Sequence, residues 1–307
     1  MTAKERDLEG KILAIVGGDR REQEIARQAV RSGATVRICG FPLPIEGIAG
    51  VSVAASPREA VMEAEILLLP LPGMTGPAVF APDAAEPVII DQAVLSMMRA
   101  GGLVLGGSAT AAFEELIAAC GLKFMGYEHN EAGRIARAPA IVEGAIARIV
   151  GETQRTINGA NVVQIGYGVV GRQLAGALRA LGARTAIVAR SRIRQEEAKA
   201  CGHLSASDPA DVGYLREADL LINTVPARVI DEALLSKIPE SCLVLDLASP
   251  PGGVEQEAAA RTKRRVVWAR GLGATSPVSV AHAQWAVIID LIAGDLPNAD
   301  GGLEAEA

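Results

Sequence analysis

The feature that most constrains this chain is a pattern it carries twice. Lys11–Gly40, KILAIVGGDRREQEIARQAVRSGATVRICG, runs from an apolar strand through a glycine turn into an amphipathic helix, then through Gly-Ala into a second strand. Asn161–Arg190, NVVQIGYGVVGRQLAGALRALGARTAIVAR, does the same. Gly17 and Gly33 are 16 residues apart, and so are Gly166 and Gly182. Further along, EAEILLLPLP (Glu63–Pro72) is echoed in the same order by EADLLINTVP (Glu217–Pro226). Strands alternating with helices bury their apolar faces in parallel sheets with helices on both sides.

The expected fold class is therefore α/β: two doubly wound parallel-sheet, Rossmann-like lobes with a cleft between them and bridging helices. The 307 residues, half of them apolar, suffice for two cores. Aromatics are only 3%, so Ala, Val, Ile and Leu must fill them. The apolar spacing after Pro139 predicts a helix starting there and bridging the lobes. The last helix, Ser279–Leu296, is expected to pack back on the first lobe. The domains are then a substrate lobe, 1–138 plus 283–307, and a cofactor domain, 139–282. The tail from Pro297 is polar and Gly-rich, and is expected to fray.

Net charge is −6 with scattered basic residues, which argues against nucleic acid as a partner. No apolar run approaches the ~20 residues of a membrane span, and Met1–Gly10 does not read as a signal peptide. Cys39, Cys120, Cys201 and Cys242 are far apart with no Cys-x-x-Cys pair, so neither structural zinc nor a disulfide framework is expected. No metal site is expected at all, and a reduced cytoplasm fits.

The two glycine turns differ where it matters. Gly166, Gly168 and Gly171 complete G-x-G-x-x-G between a strand and a helix. Gly166 permits the turn, Gly168 lets a pyrophosphate approach the backbone of Val169 and Val170 at the helix start, and Gly171 permits close packing. No acid ends the second strand to take a ribose 2′-hydroxyl. Arg190, Ser191 and Arg192 stand there and suit a 2′-phosphate, which favours NADP over NAD. In the first copy Asp19 replaces Gly168 and Glu22 replaces Gly171, placing negative charge where a pyrophosphate would sit. A division of labour follows: the second lobe holds NADP, and the first presents Gly17–Arg21 to a substrate.

Asn223-Thr224-Val225-Pro226 and Asp246-Leu247-Ala248-Ser249 end consecutive strands of the cofactor lobe and are expected at the nicotinamide side. For Asp246 a second role is equally open, as a buried carboxylate capping loop amides. Candidates for proton transfer are Glu143, His282 and Asp19. His129 and His203 read as loop or surface residues. Gly18 with Arg20, Arg21, Arg134 and Arg137 supplies a turn and cations for an anionic substrate. No Gly-x-Ser-x-Gly elbow, Walker loop or His-Glu-x-x-His helix is present.

IVGGDRREQE, PAIVEGAI, IGYGVVGRQLAGALRALGA, INTVPARVID, LVLDLASPPGG and ARGLGATSP occur in the order seen in dipicolinate synthase A subunits. The chain resembles this family of dehydrogenase-like subunits from spore-forming bacteria from about Lys11 to Ile292. The resemblance implies NADP-dependent oxidation of 4-hydroxytetrahydrodipicolinate, or its dihydro form, to dipicolinate. It places this in the mother-cell cytoplasm during sporulation, on a branch of the lysine pathway. It also implies a flavoprotein-like partner, the B subunit of the synthase, and two-lobe dehydrogenases often form homodimers. Family motif positions fall on Gly17, Gly18, Asp19, Arg21, Glu143, Gly144, Gly166, Gly168, Gly171, Asn223, Pro226, Asp246 and Ser249. Two segments depart from the family pattern. Arg137–Gly144 stands where the family tends to read Asn-x-x-Pro-Thr-x-Glu-Gly, and Leu272-Gly-Ala stands where it tends to read Leu-Pro-Gly. These departures keep open a related dehydrogenase of another amino, imino or hydroxy acid. The scarcity of histidines keeps open a cofactor-binding subunit without chemistry of its own.

Overall fold

The structure, a computed structural model, describes residues 8–41, 48–71, 74 and 76–294. The expected frayed tail from Pro297 lies outside them, as does Met1–Asp7. The described residues up to Arg137, with those from Ser276 on, form one compact unit, and Ala138–Thr275 form another.

The first unit contains β1 (Ile12–Val16), α1 (Arg20–Arg31), β2 (Thr35–Cys39), β3 (Val51–Val53), α2 (Pro57–Val61), β4 (Ile66–Leu68), α3 (Gln92–Leu95), β5 (Leu103–Gly106), α4 (Ala111–Ala119) and β6 (Lys123–Gly126). All strands pair in parallel, in the order β3-β2-β1-β4-β5-β6. Strand order therefore reverses between β1 and β4, the point where folds of this kind place ligands, at the strands' carboxyl ends. Helix α5 (Glu131–Thr153) runs out of this unit into the next.

The second unit repeats the scheme: β7 (Asn161–Ile165), α6 (Val169–Ala180), β8 (Arg184–Val188), α7 (Arg192–Ala200), β9 (Leu204–Ala206), β10 (Leu220–Asn223), α8 (Glu232–Leu235), β11 (Leu243–Asp246), α9 (Gln256–Thr262) and β12 (Arg265–Trp268). Its parallel sheet is ordered β12-β11-β10-β7-β8-β9, with the switch between β7 and β10. Helix α10 (Pro277–Ala293) then closes the first unit. Its Ala281, Trp285, Ile288 and Leu291 share one buried cluster with Ile25, Ala26 and Ala29 of α1. Both sheets thus have helices on both faces, as an apolar strand buried on each side requires. Among the described residues no helix is long and apolar enough to cross a membrane.

Helix α5 corrects one expectation. It begins at Glu131, eight residues before Pro139, which lies inside it. The signal was Asn130, whose side chain accepts the Gly133 amide at 2.9 Å as a helix cap. Pro139 is exposed on this helix, so its ring projects outward, and packing on both sides carries the helix past its missing N–H.

Candidate functional site

In the second unit β7 ends at Ile165 and the chain turns through Gly166, with φ of +97°, into Gly168, the N-cap of α6. The three glycines answer to three different constraints. A Cβ on Gly166 would collide with Thr224 Oγ1. A Cβ on Gly171 would lie 2.7 Å from the Gly166 carbonyl and 3.1 Å from Gln164 Nε2. A Cβ on Gly168 would meet nothing within 4 Å. Gly166 and Gly171 therefore serve packing within the protein, and Gly168 faces open space. No side chain caps α6, and the amides of Gly168, Val169 and Val170 find no partner among the described residues. Unpaired amides at a helix start, with the positive end of the helix dipole behind them, form a seat for phosphate.

The equivalent turn in the first unit is already filled. Asp19 caps α1 in a full capping box with Glu22. Its Oδ1 accepts the Arg21 amide at 2.9 Å, and Glu22 Oε2 accepts the Asp19 amide at 2.8 Å. Gly17 donates to the Cys39 carbonyl and Gly18 to the Phe80 carbonyl. The turn is thus closed to an anion chiefly because the amides of Gly17, Gly18, Asp19 and Arg21 are already spent. Charge repulsion from Asp19 is blunted, because the Arg21 guanidinium grips both its oxygens at 2.9 and 2.7 Å.

At the end of β8, Arg190, Ser191 and Arg192 are exposed, and Ser191 is the N-cap of α7 with no side-chain cap bond. Neither guanidinium is held in an ion pair among the described residues. The strand-end loops are organised by a buried network. Asn223 and Asp246 are both 0% exposed, and Asn223 Nδ2 donates to Asp246 Oδ1 at 2.8 Å. Asp246 also accepts the amides of Ala248 (3.1 Å) and Gly253 (2.7 Å), while Asn223 exchanges bonds with the backbone of Val225. Every side-chain polar atom of this pair is committed within the protein. The pair therefore holds the loops, and the edges those loops offer are Thr224, Val225, Pro226, Leu247 and Ser249, all half-buried or exposed, with Ala248 buried behind them. Trp268 ties in too, its indole donating to the Ala248 carbonyl at 2.9 Å.

The remaining predicted residues are dispersed. Glu143 is exposed on α5 in the second unit, and His282 is exposed on α10 in the first. Gly144 is buried where a Cβ would lie 3.0 Å from the Leu272 carbonyl, so the Glu-Gly pair marks a helix packed on the Leu272–Thr275 turn. Arg20 is exposed, as are Arg134 and His129. His203 corrects the surface reading: it is 5% exposed, its Nδ1 lies 2.5 Å from Thr185 Oγ1, and its ring meets Tyr167 edge-on. Burial, and then the nearby Arg179 charge, push its pKa below the usual value.

The structure does bring together Gly18, Asp19, Arg21 and Arg137, at the carboxyl ends of β1 and β6. Arg21 and Arg137 are 7% and 8% exposed. Arg137 Nη2 donates to the Glu128 carbonyl at 2.9 Å and forms no ion pair among the described residues. Beside them Tyr127 is fully buried, its hydroxyl donating to the Leu69 carbonyl at 3.0 Å. For Asp19, burial raises the pKa, but the hydrogen bonds and charge of Arg21 outweigh it and hold the carboxyl below its usual value. Two buried polar residues escaped the sequence reading, Glu22 on α1 beside this cluster and Gln284 on α10, which packs on α1. Each is 0% exposed, and Glu22 Oε1 and both polar side-chain atoms of Gln284 lack hydrogen-bond partners among the described residues. Polar residues in apolar helix faces were the only sequence signal for them.

Two parallel six-stranded sheets with the same strand order, one carrying a glycine-turned helix with bare amides, define a two-lobe, Rossmann-like α/β protein. A transhydrogenase from Sinorhizobium meliloti shares the fold at a TM-score of 0.67 and 15% identity, over 92% of this chain and 94% of that one. A more specific kinship follows. Residues 12–127 match the family model for the N-terminal domain of the dipicolinate synthase A subunit. The A subunit of dipicolinate synthase from Bacillus subtilis (strain 168) is 27% identical over 93% of this chain and 97% of its own length. The crystal structure of the same protein from Bacillus halodurans superposes with a TM-score of 0.86 at 26% identity, over 93% of this chain and 99% of that one. Along nearly its whole length this chain is thus similar to the dipicolinate synthase A subunit.

Proposed function

We propose that this chain is an NADP-dependent oxidoreductase that converts 4-hydroxytetrahydrodipicolinate, or its dehydrated dihydro form, to dipicolinate. The observation that carries this is the contrast between the two turns: bare amides facing open space at Gly168, and spent ones at Asp19, in a relative of the dipicolinate synthase A subunit. In this reading Gly166, Gly168, Val169, Val170 and Gly171 hold the pyrophosphate. Arg190, Ser191 and Arg192 hold the 2′-phosphate with charge-assisted bonds that an NAD ribose would not offer. Thr224, Val225, Pro226, Leu247, Ala248 and Ser249 line the nicotinamide side, on loops kept in place by Asn223 and Asp246. NADP, when bound, supplies a two-electron acceptor for the hydride.

The substrate carries two carboxylates. Arg21 and Arg137 are its buried cationic anchors, with Gly18 and Arg20 at the edge of the turn. Loss of a hydride and a proton from the dihydro ring leaves an aromatic pyridine, so the protein's main tasks are orientation and a proton acceptor. Asp19, bonded to Arg21 through both oxygens, is a weak acceptor; Glu143 and His282 are the exposed alternatives. The flavoprotein-like B subunit of the synthase as partner, a homodimer and a mother-cell cytoplasmic site complete the reading, on the strength of the family resemblance. The departures at Arg137–Gly144 favour one second reading, a dehydrogenase of another amino, imino or hydroxy acid.

The test mixes the purified chain with NADP and freshly generated 4-hydroxytetrahydrodipicolinate, following NADPH together with the ultraviolet absorbance of dipicolinate. Both should rise together. NADP binding with no dipicolinate formed, whether or not the B subunit is present, would move the assignment to the second reading.

A further inference from the structure

The charge cluster at the ends of β1 and β6 holds more than the cations the substrate needs. Glu22 lies beneath Gly18, where a Cβ on that glycine would fall 2.5 Å from Glu22 Cγ and Oε2. One of its oxygens is bonded to the Asp19 amide, and the other, Oε1, is buried with no hydrogen-bond partner among the described residues. Arg21 is committed to Asp19 by a two-point grip, whereas among the described residues Arg137 holds a backbone carbonyl alone. Of the two buried guanidiniums, Arg21 is thus paired with a carboxylate and Arg137 forms no ion pair among the described residues. The charged and titratable groups facing Glu22 are Asp19 and Arg21 on its own turn and helix, and Tyr127 at the end of β6. Arg137 and Glu128 act electrostatically on Tyr127, and Arg137 also on Arg21. Helix α10, packed on α1, brings Gln284 on its buried face, which does not titrate.

We infer that this cluster is a carboxylate-binding site in which Arg137 supplies the uncommitted guanidinium and Glu22 is an internal carboxylate that competes with the ligand's own. The choice of a dicarboxylate as its ligand rests on the function proposed above; the carboxylate chemistry rests on the cluster. Two anions beside the same buried cations repel each other, so an arriving carboxylate favours the neutral form of Glu22. Burial, only partly offset by the Arg21 charge, lifts the Glu22 pKa above its usual value, which favours the neutral form in the same sense. Binding then takes up a proton and weakens as pH rises. In a Glu22→Gln variant the competitor is gone while an oxygen remains for the Asp19 amide.

The experiment is calorimetric titration of the full chain with dipicolinate, without nucleotide, at pH 6, 7 and 8 and in buffers of different ionisation enthalpy. Wild type should take up a proton on binding and lose about tenfold in affinity per pH unit where Glu22 titrates. E22Q should bind several-fold more tightly at pH 8, with no proton uptake at pH 7 and a flat pH profile. Arg137→Gln should lose tenfold or more at all three pH values. Circular dichroism and thermal unfolding establish that each variant is folded, and Glu22→Asp, which keeps the charge, should keep the pH dependence. Equal affinity and equal proton uptake in wild type and E22Q would overturn the inference, as would R137Q binding like wild type. Because no turnover is measured, failure of the dipicolinate reaction leaves these outcomes readable.

Discussion

Replacing Gly168 by Asp separates nucleotide binding from folding. The backbone there has φ of −79°, ordinary for any residue, and a Cβ meets nothing within 4 Å. The variant should therefore fold, and its carboxylate should cap α6 as Asp19 caps α1, adding a few tenths of a kcal/mol over glycine. The same carboxylate would stand about 4 Å from a bound phosphate. Repulsion at that range is about 1 kcal/mol in a fully wet site and about 4 kcal/mol at an effective dielectric constant near 20. The affinity for NADP should then fall by a factor between about 5 and nearly 1,000, while the thermal midpoint stays level or rises. Fluorescence titration with NADPH and a melting curve read the two effects on one sample. Undiminished NADPH binding by a folded G168D would refute the assignment of the phosphate seat.

Three further perturbations follow from the same geometry. Arg190→Ala with Arg192→Ala removes charged hydrogen bonds worth about 1.5–3 kcal/mol each. NADP affinity should drop at least tenfold while NAD affinity, measured by the same titration, moves little. Asp246→Ala leaves the Asn223 amide and the amides of Ala248 and Gly253 buried without their acceptor, and urea denaturation should show a loss of about 3 kcal/mol or more. His203 has its folded pKa lowered below its unfolded value, so the unfolded chain binds more protons as pH falls. The stability it contributes is present above about pH 6.5 and is lost as pH falls through the folded pKa; thermal midpoints between pH 7.5 and 5.5 should fall less steeply in His203→Gln.

The duplication was legible because a strand, a glycine turn and an amphipathic helix each leave a periodic trace, and the two traces reinforce each other. The contrast between Gly168 and Asp19 was legible too, since the residue types at a helix start state whether its amides are capped. The cause read from sequence was charge. The geometry adds saturation of the donors, which depends on where the Glu22 carboxyl and the Phe80 carbonyl come to rest. The start of α5 was missed because Pro139 is the stronger local signal, and Asn130 acts only through one side-chain bond. His203, Glu22 and Gln284 were missed as buried polar groups for a common reason. Burial of a polar side chain is decided by what packs over it, here residues distant in sequence such as Tyr167 over His203 and α10 over α1.

The central claim is that one copy of the duplicated turn binds nucleotide and the other does not. Hydrogen–deuterium exchange of the full chain with and without saturating NADP tests it at both copies in one experiment. The account predicts slowed exchange across Ile165–Arg172 and Ala189–Arg194, with Val16–Gln23 unchanged. Protection of Val16–Gln23 by NADP, with Ile165–Arg172 unaffected, would contradict it.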